Sequence, residues 1–444
     1  MSILPLRTAL LLPVLLTLFV SGPAPARGGD VDYEADIRFA LEELEKKCGH
    51  FFKLKEIDWK KVSKAFVKDA KKVETDSDHL VLLVRLLARI EDGHARVNPL
   101  EKGKEVKWPD DGKGPRVGPG MFLCRVGKKI YVKTAWSSAA GSGIKPGMEI
   151  VKIDGKPALK WLDAKREELS DTRSFSTDHH AYFYTLHRGL ALPSGSRLEL
   201  EVKDLKGKKK KRTVTYNRAS VVPNGPAFYP GEIKTTKDLR YTTTEAGWGY
   251  IHVRRSPGDL PEQMDEALGA LGNVPGLILD YRGNSGGGFD HDGFMGRFVP
   301  EGKTLAFGKT YRSAGPGQYG GPIVVIVSAL TVSAGETGAG MFKEDGRGYL
   351  IGESPTAGMS SSKTTIDLPS GLFQLYVSVR SNKSAFNKGR GIEGIGVIPH
   401  EIVEFDPDDL AAEKDTLTLR AEALLKKYPK KEVPYDPAKF GWKK

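Results

Sequence analysis

Three stretches near the amino terminus carry apolar residues at three- and four-residue spacing: "VDYEADIRFALEELEKKCGHFF" (31–52), "DWKKVSKAFVKDAKKV" (58–73) and "DSDHLVLLVRLLARIEDGHA" (76–95). That period predicts helices over residues 31–96. Asp76 and Ser77 mark a helix start and Gly93 a stop, so His94 falls just past a helix end. From about residue 106 the chain turns glycine-rich and alternating, as in "GPGMFLCRVGKKIYVKTAWSS" (118–138), with a helical insert near 160–190 and two alternating segments, "SRLELEVKDL" and "TVTYNRAS", that close the region near 219. Beyond 220, strands "GWGYIHVRR", "GLILDYRG", "PIVVIV" and "GRGYLIGE" are interspersed with helix-period sequence such as "DLPEQMDEALGAL". This alternation predicts an α/β core with a mainly parallel central sheet. The stretch "DDLAAEKDTLTLRAEALLKKY" (408–428) reads as one amphipathic closing helix.

Composition narrows the functional classes. One arginine, an apolar run from Ala9 to Val20 and the small residues Ala24-Pro25-Ala26 have the anatomy of a secretory signal peptide over 1–26, with an uncleaved anchor as the other reading. An exported protein, periplasmic or secreted and without stable membrane insertion after cleavage, is expected. Two cysteines, Cys48 and Cys124, form neither a disulfide-dense scaffold nor a metal knuckle, and whether they bridge stays open. The net charge of +12 is spread among many acids; only "KGKKKKR" (206–212) is concentrated. It joins two alternating segments and contains no aromatic residue, so it reads as a solvated hairpin tip rather than a nucleic-acid site. "DHD" (290–292) has metal-ligand residue types but no second cluster, and neither metal nor cofactor is expected.

Candidate chemistry centres on "VSALTVSAGETGAG" (327–340). Ser333 and Glu336 spell a capping box, yet the serine also follows a buried-type strand, where a nucleophile would stand. "LILDYRGNSGGGFD" (277–290) ends a strand in Gly286-Gly287-Gly288, whose amides can approach a substrate oxygen. Asp280 and Arg282 read as a structural ion pair beneath that loop, because arginine is never a base. "SSAAGSGIKPGMEIVKIDGKPA" (137–158) resembles a PDZ core, and "GPGMF" (118–122) resembles the loop that receives a peptide carboxylate in such domains. That resemblance implies peptide binding by Gly118, Gly120, Met121 and Phe122, with a rigid spacer as the bland alternative.

Four motifs in order, "IEDGHARVNP", Asp280-x-Arg282-x-Asn284-x-Gly286-Gly287, Ser-Ala-x-Glu at 333–336 and Glu-Gly-x-Gly-Val-x-Pro at 393–399, resemble the serine peptidase family of the C-terminal processing peptidases and tricorn proteases. The resemblance implies a multidomain α/β protein: a helical region (30–105), a PDZ-like β-rich domain (106–219), a crotonase-like peptidase core (220–408) and a carboxyl-terminal helix and tail (409–444). One branch of the family uses a Ser/Lys dyad, but Met359 stands where that lysine belongs, and Lys363 is displaced by four residues. The tricorn-like branch uses serine, histidine and glutamate, which match Ser333, His94 and Glu393; Gly93 replaces a second serine found in tricorn. The resemblance therefore implies Ser333 as nucleophile, His94 as base, Glu393 orienting the imidazole, and the amides of Ala334 and of Gly286 or Gly287 as oxyanion hole. Protein or peptide substrates, possible action near carboxyl termini, and no nucleic-acid partner follow. A non-catalytic binding protein on the same fold is the alternative.

Overall fold

The amphipathic amino-terminal spacing becomes α1 (Tyr33–Leu54), α2 (Trp59–Ala70) and α3 (Asp76–Ala88). Ile37, Ala40, Leu41 and Leu44 bury one face of α1, and Thr75 caps α3 in a capping box with Asp78. The computed structural model describes residues 31–109, 114–217, 225–306, 310–359, 361–381 and 386–429. The leader expected at 1–26 lies outside the described residues. Asp32 onward forms one compact unit.

After α3, strand β1 (Arg96–Pro99) leaves the helical region. A β-rich region follows, with β2 (Met121–Val126), β3 (Lys129–Ala135), β4 (Glu149–Ile153), β5 (Arg197–Lys203) and β6 (Lys209–Thr215) in antiparallel sequence order. Helices α4 (Ala158–Thr172) and α5 (Asp178–Arg188) fill the insert between β4 and β5. The basic run straddles the β5–β6 turn, where Lys210 pairs with Asp204 at 2.6 Å.

The central sheet contains β7 (Lys234–Thr235), β8 (Leu239–Thr243), β9 (Gly249–Val253), β10 (Leu277–Asp280), β11 (Ile323–Val327), β12 (Tyr349–Gly352) and, after the hairpin described below, β15 (Glu401–Ile402), in the order 7-8-9-10-11-12-15. From β9 onward the neighbours are parallel. Every residue of β9 to β12 is buried, which is why these strands read as continuous apolar runs. Leu277 and Leu279 face a core with α6 (Leu260–Leu271) and α7 (Ala334–Glu344); Ile278 faces the opposite core. The ends of β10, β11 and β12 point the same way, so the loops after them converge at one edge of the sheet.

Two features depart from the sequence reading. Residues 361–381 form an antiparallel hairpin, β13 (Ser361–Asp367) and β14 (Phe373–Ser381), which takes β1 as its third strand. The closing helix is two helices, α8 (Pro407–Ala411) and α9 (Thr416–Lys426). Glu413 at φ +56 breaks the run and Asp415 caps α9. Leu417, Ala421 and Leu424 of α9 then cover the second face of the central sheet, so this part of the 409–444 segment packs as core. Cys48 and Cys124 are both buried and unbridged. Among the described residues no helix is long and apolar enough to cross a membrane.

Candidate active site

Ser333 lies between β11 and α7 with φ +55 and ψ −124, a conformation that costs a non-glycine residue about 1–3 kcal/mol. The surroundings enforce it. Val332 N donates to Asn284 O, and Thr331 Oγ1 donates to Tyr281 O at 2.7 Å. Gly286 lies so close that a Cβ there would be 2.8 Å from the Ser333 Cβ, so only glycine fits beside the serine. Glu336 makes the glutamate half of the anticipated capping box, accepting from Ser333 N at 2.9 Å. It does more than cap: Met359 N (2.9 Å), Gly358 N (2.7 Å) and Thr356 Oγ1 (2.6 Å) also donate to its fully buried carboxylate. Burial pushes this carboxyl up to about 7, against the four donors that hold it down.

His94 Nε2 lies 3.2 Å from Ser333 Oγ, across 239 residues of chain. The loop carrying the imidazole is fixed by Asp92, whose carboxylate accepts from His94 N (2.9 Å), Ser378 N (2.7 Å) and Ser378 Oγ (2.9 Å). Burial lowers the His94 pKa to about 4; Asp92 opposes that shift, while Lys363, Arg96 and Lys55 add to it. The imidazole is therefore neutral at neutral pH, with Nε2 free to accept the serine proton. Its Nδ1 is buried and has no hydrogen-bond partner among the described residues.

Glu393 is 0% exposed. Its Oε1 accepts from Lys55 Nζ at 2.9 Å and from Ser176 Oγ at 3.0 Å, while Oε2 is buried and unpartnered among the described residues. Burial raises its pKa and the Lys55 ammonium opposes the rise. One ligand-type atom from each of Asp92, His94 and Glu393 lies within 4.8 Å of the others. The set has metal-ligand residue types, but Asp92 already accepts three hydrogen bonds and Lys55 places a cation on Glu393. This arrangement suits an imidazole that gains a proton better than a divalent cation.

Beside the serine, Gly286 N donates to Asn284 Oδ1 at 2.8 Å, which removes it from the two glycines considered for the oxyanion. The amides of Gly287 and Ala334 donate to no described residue in the structure. Beneath them Arg282, 1% exposed, pairs with Asp280 at 2.6 Å, as anticipated, and with Asp415 at 2.9 Å. Lys363 follows a bulge in β13 and acts on His94 as a positive charge. Met359 packs at Gly93, where a Cβ would be 2.8 Å from its sulfur.

Gly118, Gly120, Met121 and Phe122 lie at and just before the start of β2. Gly120 has φ +85, with Pro119 O and Gly120 O accepting from Ala139 N and Trp136 N; Met121 points into the local core. Phe122 stacks on His187 at 4.8 Å and, with Gly118, Arg116 and Arg188, lines a cavity of about 590 Å³. Sequence reasoning missed Lys55, Asp92 and Ser176. Asp92 sits two residues before His94 in a quoted motif, which was a usable signal; Lys55 and Ser176 belong to no motif.

Residues 247–403 match the model of peptidase family S41. The chain is 23% identical over 383 residues to a carboxyl-terminal-processing protease of a Picosynechococcus species, covering 83% of each chain. It is 26% identical over 347 residues to the chloroplastic C-terminal processing peptidase of Tetradesmus obliquus, covering 73% of this chain and 68% of that one. Among solved structures, mature CPAF is similar in fold, with a TM-score of 0.64 at 14% identity over 90% of this chain and 99% of that one.

Proposed function

We propose that this serine peptidase acting on protein substrates is a member of family S41 and works through Ser333, His94 and Glu393 rather than through a lysine dyad. The observation that carries this reading is the 3.2 Å approach of His94 Nε2 to the hydroxyl of a serine held at positive φ. The place of the dyad lysine is occupied by Met359, whose thioether cannot take a proton.

In the proposed mechanism His94 removes the Ser333 proton as Oγ attacks the scissile carbonyl. The resulting oxyanion is held by the amides of Ala334 and Gly287, each donor contributing about 3–4 kcal/mol to the barrier change. His94 then gives the proton to the leaving amine, the C–N bond breaks, and an acyl-enzyme remains. Water, deprotonated by the same imidazole, attacks the acyl carbon; the Oγ–acyl bond breaks, the imidazole returns the proton to Ser333 Oγ, and the new carboxyl terminus leaves. Glu393 Oε2 pairs with Nδ1 as positive charge develops, and the two unpartnered atoms support that role.

Substrate presentation falls to the β-rich region, read as PDZ-like. Its Gly118–Phe122 loop and the adjoining cavity, with Arg116 and Arg188 in its wall, suit a peptide carboxyl terminus. Export by the 1–26 segment completes the reading. Mass spectrometry of an unfolded protein incubated with the enzyme or with Ser333→Ala tests the nucleophile: new termini appear only with the wild type. Cleavage by the variant at the wild-type rate removes Ser333 from the mechanism. Amidating the substrate's carboxyl terminus tests presentation, and unchanged turnover reduces the β-rich region to a spacer.

A further inference from the structure

Ser176 sits in the loop between α4 and α5, 2% exposed and outside every motif quoted above. Its hydroxyl accepts from Gly93 N at 2.8 Å and donates to Glu393 Oε1 at 3.0 Å, so one side chain of the β-rich region touches both the histidine loop and the glutamate. A Cβ built on Gly93 would stand 3.3 Å from this Oγ, so the glycine leaves the space that the hydroxyl enters.

The neighbouring residues repeat the connection. Ser174 Oγ accepts from Asp92 N at 2.8 Å, Thr177 Oγ1 donates to Ala357 O at 2.9 Å, and His179 Nε2 donates to Thr356 O at 2.7 Å. Residues 174–179 therefore clamp the loop that carries His94 and the loop that is tied to Ser333 through Glu336. On the opposite side of Glu393, Lys55 also donates to Glu91 O, which fixes its ammonium. A carboxylate oxygen has two acceptor sites, and on Oε1 both are filled, by Lys55 and Ser176. The carboxylate is then held with only Oε2 available to the imidazole.

We infer that Ser176 is a positioning residue of the peptidase: with Lys55 it anchors Glu393 so that its free oxygen serves His94 Nδ1, and the β-rich region is thereby a structural part of the catalytic centre. The inference rests on the Ser333/His94/Glu393 reading. Ser176 does not touch substrate, so its removal acts on kcat rather than KM.

The test is a kinetic cycle on the full chain: wild type, Ser176→Ala, Glu393→Gln and the double variant, each assayed well below its own melting temperature. Ser176→Ala should lower kcat about 10–100-fold, as when groups that hold catalytic ligands are deleted, with KM within about twofold. In the Glu393→Gln background the same change should cost less than about threefold, because the anchored group is gone. Ser176→Cys, close in volume but a weak donor, should resemble Ser176→Ala and serves if the alanine variant folds poorly. Full kcat in both Ser176 variants, or equal losses in both backgrounds, overturns the inference while leaving the triad in place. Full kcat in Glu393→Gln overturns the triad reading and this inference with it.

Discussion

Two buried glutamates flank the Ser333–His94 contact, one on the serine side and one on the histidine side, and their surroundings differ. Glu336 has both oxygens engaged by four donors that fix the Ser333 turn and the 356–359 loop. Among the described residues Glu393 has one oxygen engaged twice and the other bare, and His94 Nδ1 is likewise buried without a partner. The serine side is thus a finished structure, in which strain at Ser333 is held by its neighbours. In the mechanism proposed above, the histidine side would make one further contact when the imidazole gains its proton. A buried carboxylate with all acceptors filled marks a scaffold; one with an acceptor kept free marks a participant.

Exchanging each glutamate for glutamine sets the two sides against each other. Glu393→Gln should lower kcat/KM by about 10³–10⁴, the range for losing the orienting carboxylate of a triad. Glu336→Gln keeps serine and histidine in contact but leaves buried donors unmatched. It should reduce stability by about 2–4 kcal/mol and kcat by only about tenfold, read from denaturant unfolding and steady-state rates. Equal kinetic losses in the two variants would erase the distinction.

Protonation provides a finer test. Burial depresses His94 and His179 to about 4 and His180 to about 3, so each binds its proton more readily in the unfolded chain. Their contribution to stability is complete above the unfolded value of about 6.5 and is lost as pH falls toward 4. Glu336 runs the other way: its carboxyl is raised to about 7 in the fold, so its contribution is present at low pH and is lost as pH rises from about 4.5 to 7. Stability should therefore climb between pH 4 and 6.5, and climb more steeply in Glu336→Gln, where the opposing carboxyl is absent. An unchanged slope in that variant would mean Glu336 does not titrate in this range.

Much of this organisation was legible in the chain because its signals are local. The three amino-terminal helices, the buried strands of the central sheet and the Asp280–Arg282 pair follow from period, continuous apolarity and charge spacing. Ser333, His94 and Glu393 were reached through short motifs, and the structure brings Ser333 and His94 into contact. The 361–381 hairpin was missed although "TTIDLPSGLFQLYV" has strand residues around a Pro-Ser-Gly turn. The break in the closing helix escaped because Glu413 adopts positive φ without glycine's help; Asp415, which restarts the helix, is recruited by Arg282, 133 residues away. Lys55 and Ser176 meet Glu393 across 338 and 217 residues. Such contacts leave no periodic trace, because the fold alone decides which distant polar groups share a buried carboxylate.

The central claim is that the proton acceptor for Ser333 is His94 and not a lysine. The most direct measurement compares initial cleavage rates of one unfolded protein substrate by the wild type, His94→Ala and Lys363→Ala at neutral pH. The account predicts a loss of about 10⁴-fold or more in His94→Ala and a change within about threefold in Lys363→Ala, whose charge only adjusts the imidazole. Activity retained in His94→Ala and abolished in Lys363→Ala would contradict it and make the enzyme a serine–lysine peptidase.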